Sequence, residues 1–316
     1  MKLLITRPMT AVVEARARAE FDVVIRSQPS VLSRQEMLSA LQGFDLVMPT
    51  LGDGFDAGIF AEVAEPRCKL LANFGVGFNH IDVGAATAAG VAVSNTPGAV
   101  TDATADIALT LILMSARRAG EGERLVRSGD WPGWHPTQML GQHVTGKKLG
   151  VIGMGRIGAA IARRCHFGFG MQVFYTARSD KSPGFDATRL PDLQHLAAEV
   201  DFLVVAVPGS TETRHLVNAD VLAAMQPHAH LINIARGEVV QQQALITALQ
   251  AQRIAGAGLD VYEFEPEVPQ ALRELSNVTL LPHLGTATEE VRSAMGHMAL
   301  DNIAAFVAGQ PLPNQV

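Results

Sequence analysis

Several things are scarce in this 316-residue chain, and each scarcity removes a class of protein. It has only two cysteines, Cys68 and Cys165, too few for a disulfide framework or a cysteine-based zinc site. Both read as buried free thiols, and no metal site is expected. Long apolar runs are missing. The longest, over residues 107–114, falls far below a membrane span, and the run over 2–5 is too short for a secretory signal. These absences point to a cytoplasmic protein with no membrane contact. An excess of positive charge is missing too. The net charge of −6 argues against a general nucleic-acid-binding role. There is no strong internal repeat and no low-complexity tail. Tryptophan is nearly absent, and both copies, Trp131 and Trp134, fall in one short segment.

What the chain does have is enough apolar residue, 48%, and enough length for two domains with cores of their own. Near its middle lies Gly153-Met154-Gly155-Arg156-Ile157-Gly158, in the spacing G-x-G-x-x-G. An apolar run ending at Ile152 precedes it and a helical pattern from Ala159 follows, which is the context this motif needs. Gly153 permits the tight turn, Gly155 lets a pyrophosphate approach the backbone, and Gly158 lets the helix pack on the strand. The helix N-terminus offers free N–H groups to the phosphates. Alone, the motif is also compatible with a glycine-rich turn that binds nothing.

Residues 1–100 read as a small α/β domain with strands at 2–5, 22–25, 46–48, 70–73 and 92–94 and a helix at 33–41 among the connections. Asn73 to Asp82 carries two glycines after a strand. Such a turn can aim N–H groups at an anion, or be a plain connection. Thr96-Pro97-Gly98 is a hinge candidate. Residues 102–118 have apolar positions at helical spacing with almost no charge, as a long, largely buried helix would. Residues 119–146 read as polar and irregular. The two tryptophans there serve an interface or a local packing anchor. From residue 147 the alternation resumes, with strands at 149–152, 173–175, 202–207, 231–234, 258–261 and 279–281. Six is the count of a full dinucleotide-binding sheet. A last helix is expected over 289–308.

Cofactor choice turns on the end of the strand near 173–175. An acidic residue there would hold the adenosine ribose of NAD. Thr176 and Ala177 stand at that position, followed by Arg178 and Ser179, which suit a 2′-phosphate. NADP(H) is therefore expected over NAD(H), which stays possible; Asp180 competes but lies past the strand end. Three further polar residues follow strands in this half: Arg236, Glu265 after Asp260, and His283. Carboxyl ends of strands face the ligand crevice in open α/β sheets. Singly, each has an ordinary alternative: a surface ion pair, a turn residue, a satisfied core histidine.

Taken together, the residues 153–158, Asn233 to Gly237, Gly258 to Val261, Glu265-Pro266 and Pro282-His283 resemble the D-isomer-specific 2-hydroxyacid dehydrogenases, and Asn73 to Gly77 with Asn95-Thr96-Pro97 resembles that family's substrate domain. The segments around Trp131 and Arg178 look most like glyoxylate/hydroxypyruvate reductases. The resemblance covers nearly the whole chain. It implies an α/β fold of two Rossmann-like domains with doubly wound parallel sheets, a cofactor domain (99–287) inserted into a discontinuous substrate domain (1–98 and 288–316), and a substrate bound between them. It implies that Arg236 binds the carboxylate and carbonyl of a small 2-oxo or 2-hydroxy acid, and that N–H groups of Val76 and Gly77 hold the carboxylate. His283, paired with Glu265, exchanges the proton. The 153–158 turn, Thr104, Val207, Pro208, Ala235, Asp260 and His283 meet the cofactor. Trp134 reaches a neighbouring subunit's site in a homodimer. Asn73, Asn79 and His80 stand where many relatives differ, which leaves the substrate open. Alternatives to a reductase of glyoxylate-like acids are a reductase of bulkier, phenylpyruvate-like acids and a dinucleotide-sensing regulator.

Overall fold

The computed structural model describes all 316 residues, which pack as two units. Met1–Val100 and Thr286–Val316 form the first, Thr101–Gly285 the second. In the first unit, β1 (Lys2–Ile5), β2 (Asp22–Ile25), β3 (Leu46–Met48), β4 (Leu70–Ala72) and β5 (Ala92–Ser94) make a parallel sheet in the order β2-β1-β3-β4-β5. Every residue of β3 and β4 is buried, as expected of strands covered on both faces. The helix Arg34–Gly43 starts where it does because Ser33 and Glu36 cap each other's backbone in a capping box. The chain re-enters this unit through the helix Glu289–Val307, capped by Thr288. Gly296 lets it lie close against the helix Ala11–Glu20, since a Cβ there would be 2.5 Å from Val13. The last residues extend the sheet edge: Gln315 bridges Ser94, and the Val316 N–H donates to the Val93 carbonyl at 3.1 Å.

The second unit holds β6 (Lys148–Ile152), β7 (Gln172–Thr176), β8 (Ala187–Arg189), β9 (Phe202–Val205), β10 (His230–Asn233), β11 (Gly256–Leu259) and β12 (Val278–Leu280). All are parallel, in the order β12-β11-β10-β9-β6-β7-β8. There are seven strands, where six were expected. The extra one, β8, is a half-exposed edge strand with no apolar alternation to betray it. Strand order reverses between β6 and β9, the switch point at which such sheets bind ligands. The helices Thr101–Ala116 and Arg156–Phe169 cover one face, with Leu111, Ile112, Ile161 and Ala162 packed on Leu149, Val151, Phe202 and Ile232. A second apolar cluster covers the other face. Gly258 brings the first of these helices close, since a Cβ there would meet that of Leu111 at 2.9 Å. Cys68 and Cys165 are free and buried, and burial pushes both thiols up to about 12.

The segment 119–146 is not irregular throughout. The helix Thr101–Ala116 stops, Arg118 takes a left-handed φ of 52°, and a second helix runs over Ala119–Ser128. None of its residues is buried. Ion pairs Arg118–Glu121 and Arg127–Glu123 at one-turn spacing support it, and Gly129 ends it with a φ of 80°. No helix in the chain is long and apolar enough to cross a membrane.

Candidate active site

The glycine turn after β6 has the shape its spacing implies. Gly153 adopts a φ of 95°, which other residues avoid. A Cβ on Gly158 would lie 2.0 Å from the Gly153 carbonyl oxygen, so only glycine lets the helix Arg156–Phe169 start so near its strand. Gly155 is the opposite case: nothing lies within 4 Å of where its Cβ would be. It is the N-cap of that helix and supplies no side-chain cap, so the first N–H groups face open space. Uncapped N–H groups at a helix N-terminus, with no side chain in front of them, are the donors a dinucleotide pyrophosphate requires. Arg156 is exposed and Ile157 partly buried, whereas the Met154 side chain lies in the core, leaving only its main chain to serve a ligand.

From the turn, one can walk along the strand ends without leaving the second unit. A Cβ on Gly153 would touch Val207 Cγ1 at 2.7 Å, so the segment after β9 abuts the glycine turn. Two residues on from Val207, past Pro208, Gly209 packs against Arg236, whose Cγ would be 2.8 Å from a Cβ there. Next to Arg236, Gly237 lies directly under the Tyr262–Glu263 peptide, where no side chain fits. The Tyr262 N–H donates to Glu265 Oε1 at 3.0 Å, and Glu265 Oε2 meets His283 Nδ1 at 2.8 Å. The His283 N–H donates to the Asp260 carbonyl at 3.0 Å. Asp260 in turn accepts the Leu284 and Gly285 N–H groups on its two carboxylate oxygens, at 2.6 and 2.8 Å. Thr104 Oγ1 donates to the Gly285 carbonyl at 3.2 Å. The candidate catalytic residues Arg236, Glu265 and His283 thus share one rim with Val207, Pro208, Ala235, Asp260 and Thr104. Gly209, Gly237 and Tyr262 complete it. Gly237 lies within the Asn233–Gly237 motif of the sequence, whereas nothing in the sequence marked Gly209 or Tyr262.

The electrostatics of this rim are uneven. Burial pushes the Arg236 guanidinium down from its ordinary value, opposed by the charges of Glu265 and Glu238. One N–H donates to the Ala235 carbonyl at 2.7 Å, but Nε is buried with no partner. A buried, unmatched donor on a cation is a costly arrangement unless an anionic ligand supplies the acceptor. Burial works to raise the Glu265 carboxyl, but its bond and charge interaction with His283, the Tyr262 N–H and the nearby Arg236 bring it below the usual range. Asp260 goes the other way, raised by burial against the Leu284 and Gly285 N–H groups. With Nδ1 engaged by Glu265, the His283 ring has Nε2 left for a substrate.

At the end of β7, Arg178 and Ser179 are exposed. Asp180 is held by Arg189 of β8 at 2.9 Å, and the same guanidinium donates to the Ala177 carbonyl. Val76 and Gly77 belong to the first unit, in the loop after β4. In the segment after Gly129, Trp134 is 80% exposed, whereas Trp131 is 50% exposed and its Nε1–H donates to Gln138 Oε1 at 3.2 Å, tying the segment to itself. A cavity of about 660 Å³ lies at the amino ends of β10–β12, lined partly by Arg118, Gln142, His228 and His230. It holds none of the candidate catalytic groups. No cluster of three or more His, Cys, Asp or Glu side chains is placed to hold a metal.

A cradle for a dinucleotide and a His–Glu pair beside a buried arginine define a nicotinamide-dependent oxidoreductase of open α/β architecture. Residues 109–285 match the family model described as D-isomer specific 2-hydroxyacid dehydrogenase, NAD binding domain. A glyoxylate reductase of Thermococcus onnurineus is 42% identical over all of this chain and 95% of its own length. The structure of a D-isomer specific 2-hydroxyacid dehydrogenase from Polaromonas sp. JS6 66 superimposes with a TM-score of 0.93 at 37% identity, covering 100% of this chain and 99% of that one. An NADPH-dependent glyoxylate/hydroxypyruvate reductase from Sinorhizobium meliloti, solved with NADP and malonate, gives a TM-score of 0.87 at 35% identity, covering 100% and 96%. The chain belongs to the D-isomer-specific 2-hydroxyacid dehydrogenase family. It is an oxidoreductase built from two Rossmann-like parallel sheets.

Proposed function

We propose that this protein is an NADPH-dependent reductase that converts small 2-oxo acids, of the glyoxylate and hydroxypyruvate kind, to D-2-hydroxy acids. The observation that carries this reading is the Arg236 guanidinium, buried with an unpartnered Nε beside the Glu265–His283 pair. A fixed guanidinium grips a 2-oxo acid through parallel hydrogen bonds and aligns its carbonyl. His283 Nε2 gives its proton to the carbonyl oxygen, and Glu265 holds the ring and balances its charge. When bound, the reduced nicotinamide supplies the hydride. The main-chain N–H groups of Val76 and Gly77 hold the substrate carboxylate. The 153–158 turn with Thr104, Val207, Pro208, Ala235 and Asp260 holds the cofactor, so that Thr101–Gly285 acts as the cofactor domain. The names of the Thermococcus and Sinorhizobium relatives support the substrate class.

The preference for NADPH is supported by Ala177 at the usual acidic position, by exposed Arg178 and Ser179, and by Arg189, which neutralises Asp180. A homodimer is supported by the exposed Trp131, Trp134 and Leu140 on one segment, with Trp134 contributing to the neighbouring subunit's substrate site. The expected compartment is the cytoplasm.

The test is turnover of glyoxylate, hydroxypyruvate, pyruvate and phenylpyruvate, each with NADPH and with NADH. Fast NADPH-linked reduction of the two smallest polar acids is expected. His283→Gln is expected to abolish it while NADPH still quenches intrinsic fluorescence. Silence with all eight pairs would refute the reading.

A further inference from the structure

Three consecutive carbonyls in the loop after β4 are all held by side-chain amides. Asn73 Nδ2 donates to the Gly75 and Gly77 carbonyls, both at 3.0 Å. Between them, the Val76 carbonyl accepts from Asn95 Nδ2 at 2.9 Å. The Gly75 carbonyl also accepts the Thr96 N–H at 3.0 Å. Asn73 is fully buried at 0% exposure, and its Oδ1 pairs with His80 Nε2 at 3.1 Å. Both of its N–H groups and its oxygen are used, which leaves its amide only one orientation.

Peptide planarity turns this into a statement about donors. In a trans peptide, the carbonyl of one residue and the N–H of the next lie in one plane and point in opposite directions. Fixing the Gly75 carbonyl therefore fixes where the Val76 N–H points, and fixing the Val76 carbonyl does the same for the Gly77 N–H. Neither N–H is bonded to any group of the protein. We propose that Asn73 and Asn95 are positioning residues: by holding the Gly75 and Val76 carbonyls they aim the Val76 and Gly77 N–H groups at the substrate carboxylate, and the second Asn73 bond, to the Gly77 carbonyl, pins the far end of the turn.

This rests on the reading that those two N–H groups bind the carboxylate. The clamp makes the anion site rigid before substrate arrives, so its effect falls on substrate binding rather than on proton transfer. It also explains the residue type. An aspartate at 73 would set a carboxylate against two carbonyl oxygens and add negative charge beneath an incoming anion.

The experiment pairs kinetics with a readout independent of turnover. Val76 and Gly77 amide resonances are followed by nitrogen-edited NMR in the NADP⁺-bound protein while oxalate is titrated, for wild type, Asn73→Asp, His80→Leu and His80→Gln. His80 is only half-buried, so its variants keep the test alive if Asn73→Asp does not fold. In wild type both amides shift. Asn73→Asp is expected to weaken oxalate binding and raise the glyoxylate KM about tenfold or more, with kcat within about threefold and the NADPH KM within about twofold. His80→Leu, which frees the Asn73 amide, is expected to raise KM by about three- to fivefold, and His80→Gln, which keeps a donor, to restore it. Wild-type amides that ignore oxalate would overturn the carboxylate reading and this proposal with it. Amides that shift in wild type and equally, at the same oxalate concentration, in the folded variants would overturn the clamp and leave that reading standing.

Discussion

His283 is held in a left-handed conformation by Asp260. Its φ is 57°, a conformation uncommon outside glycine, although histidine enters it more readily than most side chains. The Asp260 carbonyl takes the His283 N–H, and the Asp260 carboxylate takes the next two, those of Leu284 and Gly285. One residue thus fixes three successive peptides and with them the direction of the imidazole, an arrangement of the kind that concentrates at functional sites. Asp260→Asn removes one of the two carboxylate acceptors. It is expected to cost about 1–3 kcal/mol of stability and to lower kcat more than tenfold, roughly. Thermal melting and steady-state kinetics on the same samples check both.

The Glu265–His283 pair should show itself in kcat. Glu265→Gln keeps the shape and removes the charge, and is expected to lower kcat by roughly ten- to hundredfold with the cofactor KM within about twofold. Because the folded carboxyl lies below its ordinary value, the pair's stabilisation is complete above the unfolded carboxylate pKa and fades as pH falls through the folded one. Melting curves below about pH 4.5 should accordingly fall more steeply for wild type than for the variant.

Two alanines in one motif should fail differently. Gly158→Ala forces a Cβ to within 2.0 Å of a carbonyl oxygen and is expected to destabilise the fold by about 1–3 kcal/mol or more. Gly155→Ala meets open space in the protein, so it should melt like wild type yet lose most of its affinity for NADPH. Differential scanning fluorimetry with and without NADPH separates the two. A normal ligand-induced rise in Tm for Gly155→Ala would show that no phosphate approaches this backbone.

His230 makes stability depend on pH well away from the candidate catalytic residues. It is buried against Phe202, with ring centroids 5.4 Å apart, and Nδ1 lies 2.7 Å from Ser115 Oγ. Burial pushes it down to about 4. Between the unfolded value near 6.5 and this one, the unfolded chain takes up a proton that the folded chain refuses. Stability should therefore be full above about pH 6.5 and fall by about 3 kcal/mol by pH 4, with no further loss from this group below that. His230→Asn should flatten that part of the profile in denaturant titrations at stepped pH.

For the cofactor, Arg178→Ala is expected to raise the NADPH KM by about tenfold or more and to leave the NADH KM within about twofold, the signature of one lost charged contact to a phosphate. Equal effects on both cofactors would instead mark Arg178 as a structural residue.

Much of this molecule could be read from residue order because its strands are covered on both faces. β3, β4 and β9 are unbroken apolar runs, and the glycines of 153–158 sit where backbone must approach backbone. The misses are short or weakly apolar elements. β8 has three residues, two of them exposed, and the helix Ala119–Ser128 has no fully buried residue and carries two glycines, Gly120 and Gly122, that weaken a helical reading. β10 and β11 begin before their apolar cores, at buried His230 and at Gly256, where a Cβ would meet the Asn277 carbonyl. In the candidate site, Arg236, Glu265 and His283 announced themselves by type and order. Arg189 and Gly209 did not, and Asn73 stood out only as the first residue of a motif, because their contacts are hydrogen bonds and close approaches that exist only once the loops are folded.

The first unit is drawn from two stretches of chain, and its final pieces, the helix Glu289–Val307 and the residues that bridge Ser94, follow the whole of Thr101–Gly285. Order of synthesis and order of completion therefore diverge. On the ribosome, at about 5–20 residues per second, the five-stranded sheet, complete in its strands but not in its cover, waits on the order of ten seconds or more while the intervening unit is made. Through that interval the Val13 side of the helix Ala11–Glu20 and the edge of β5 have no native cover. The nascent chain is most open to chaperones and to misassociation in this window, before its earliest-made part has received its last.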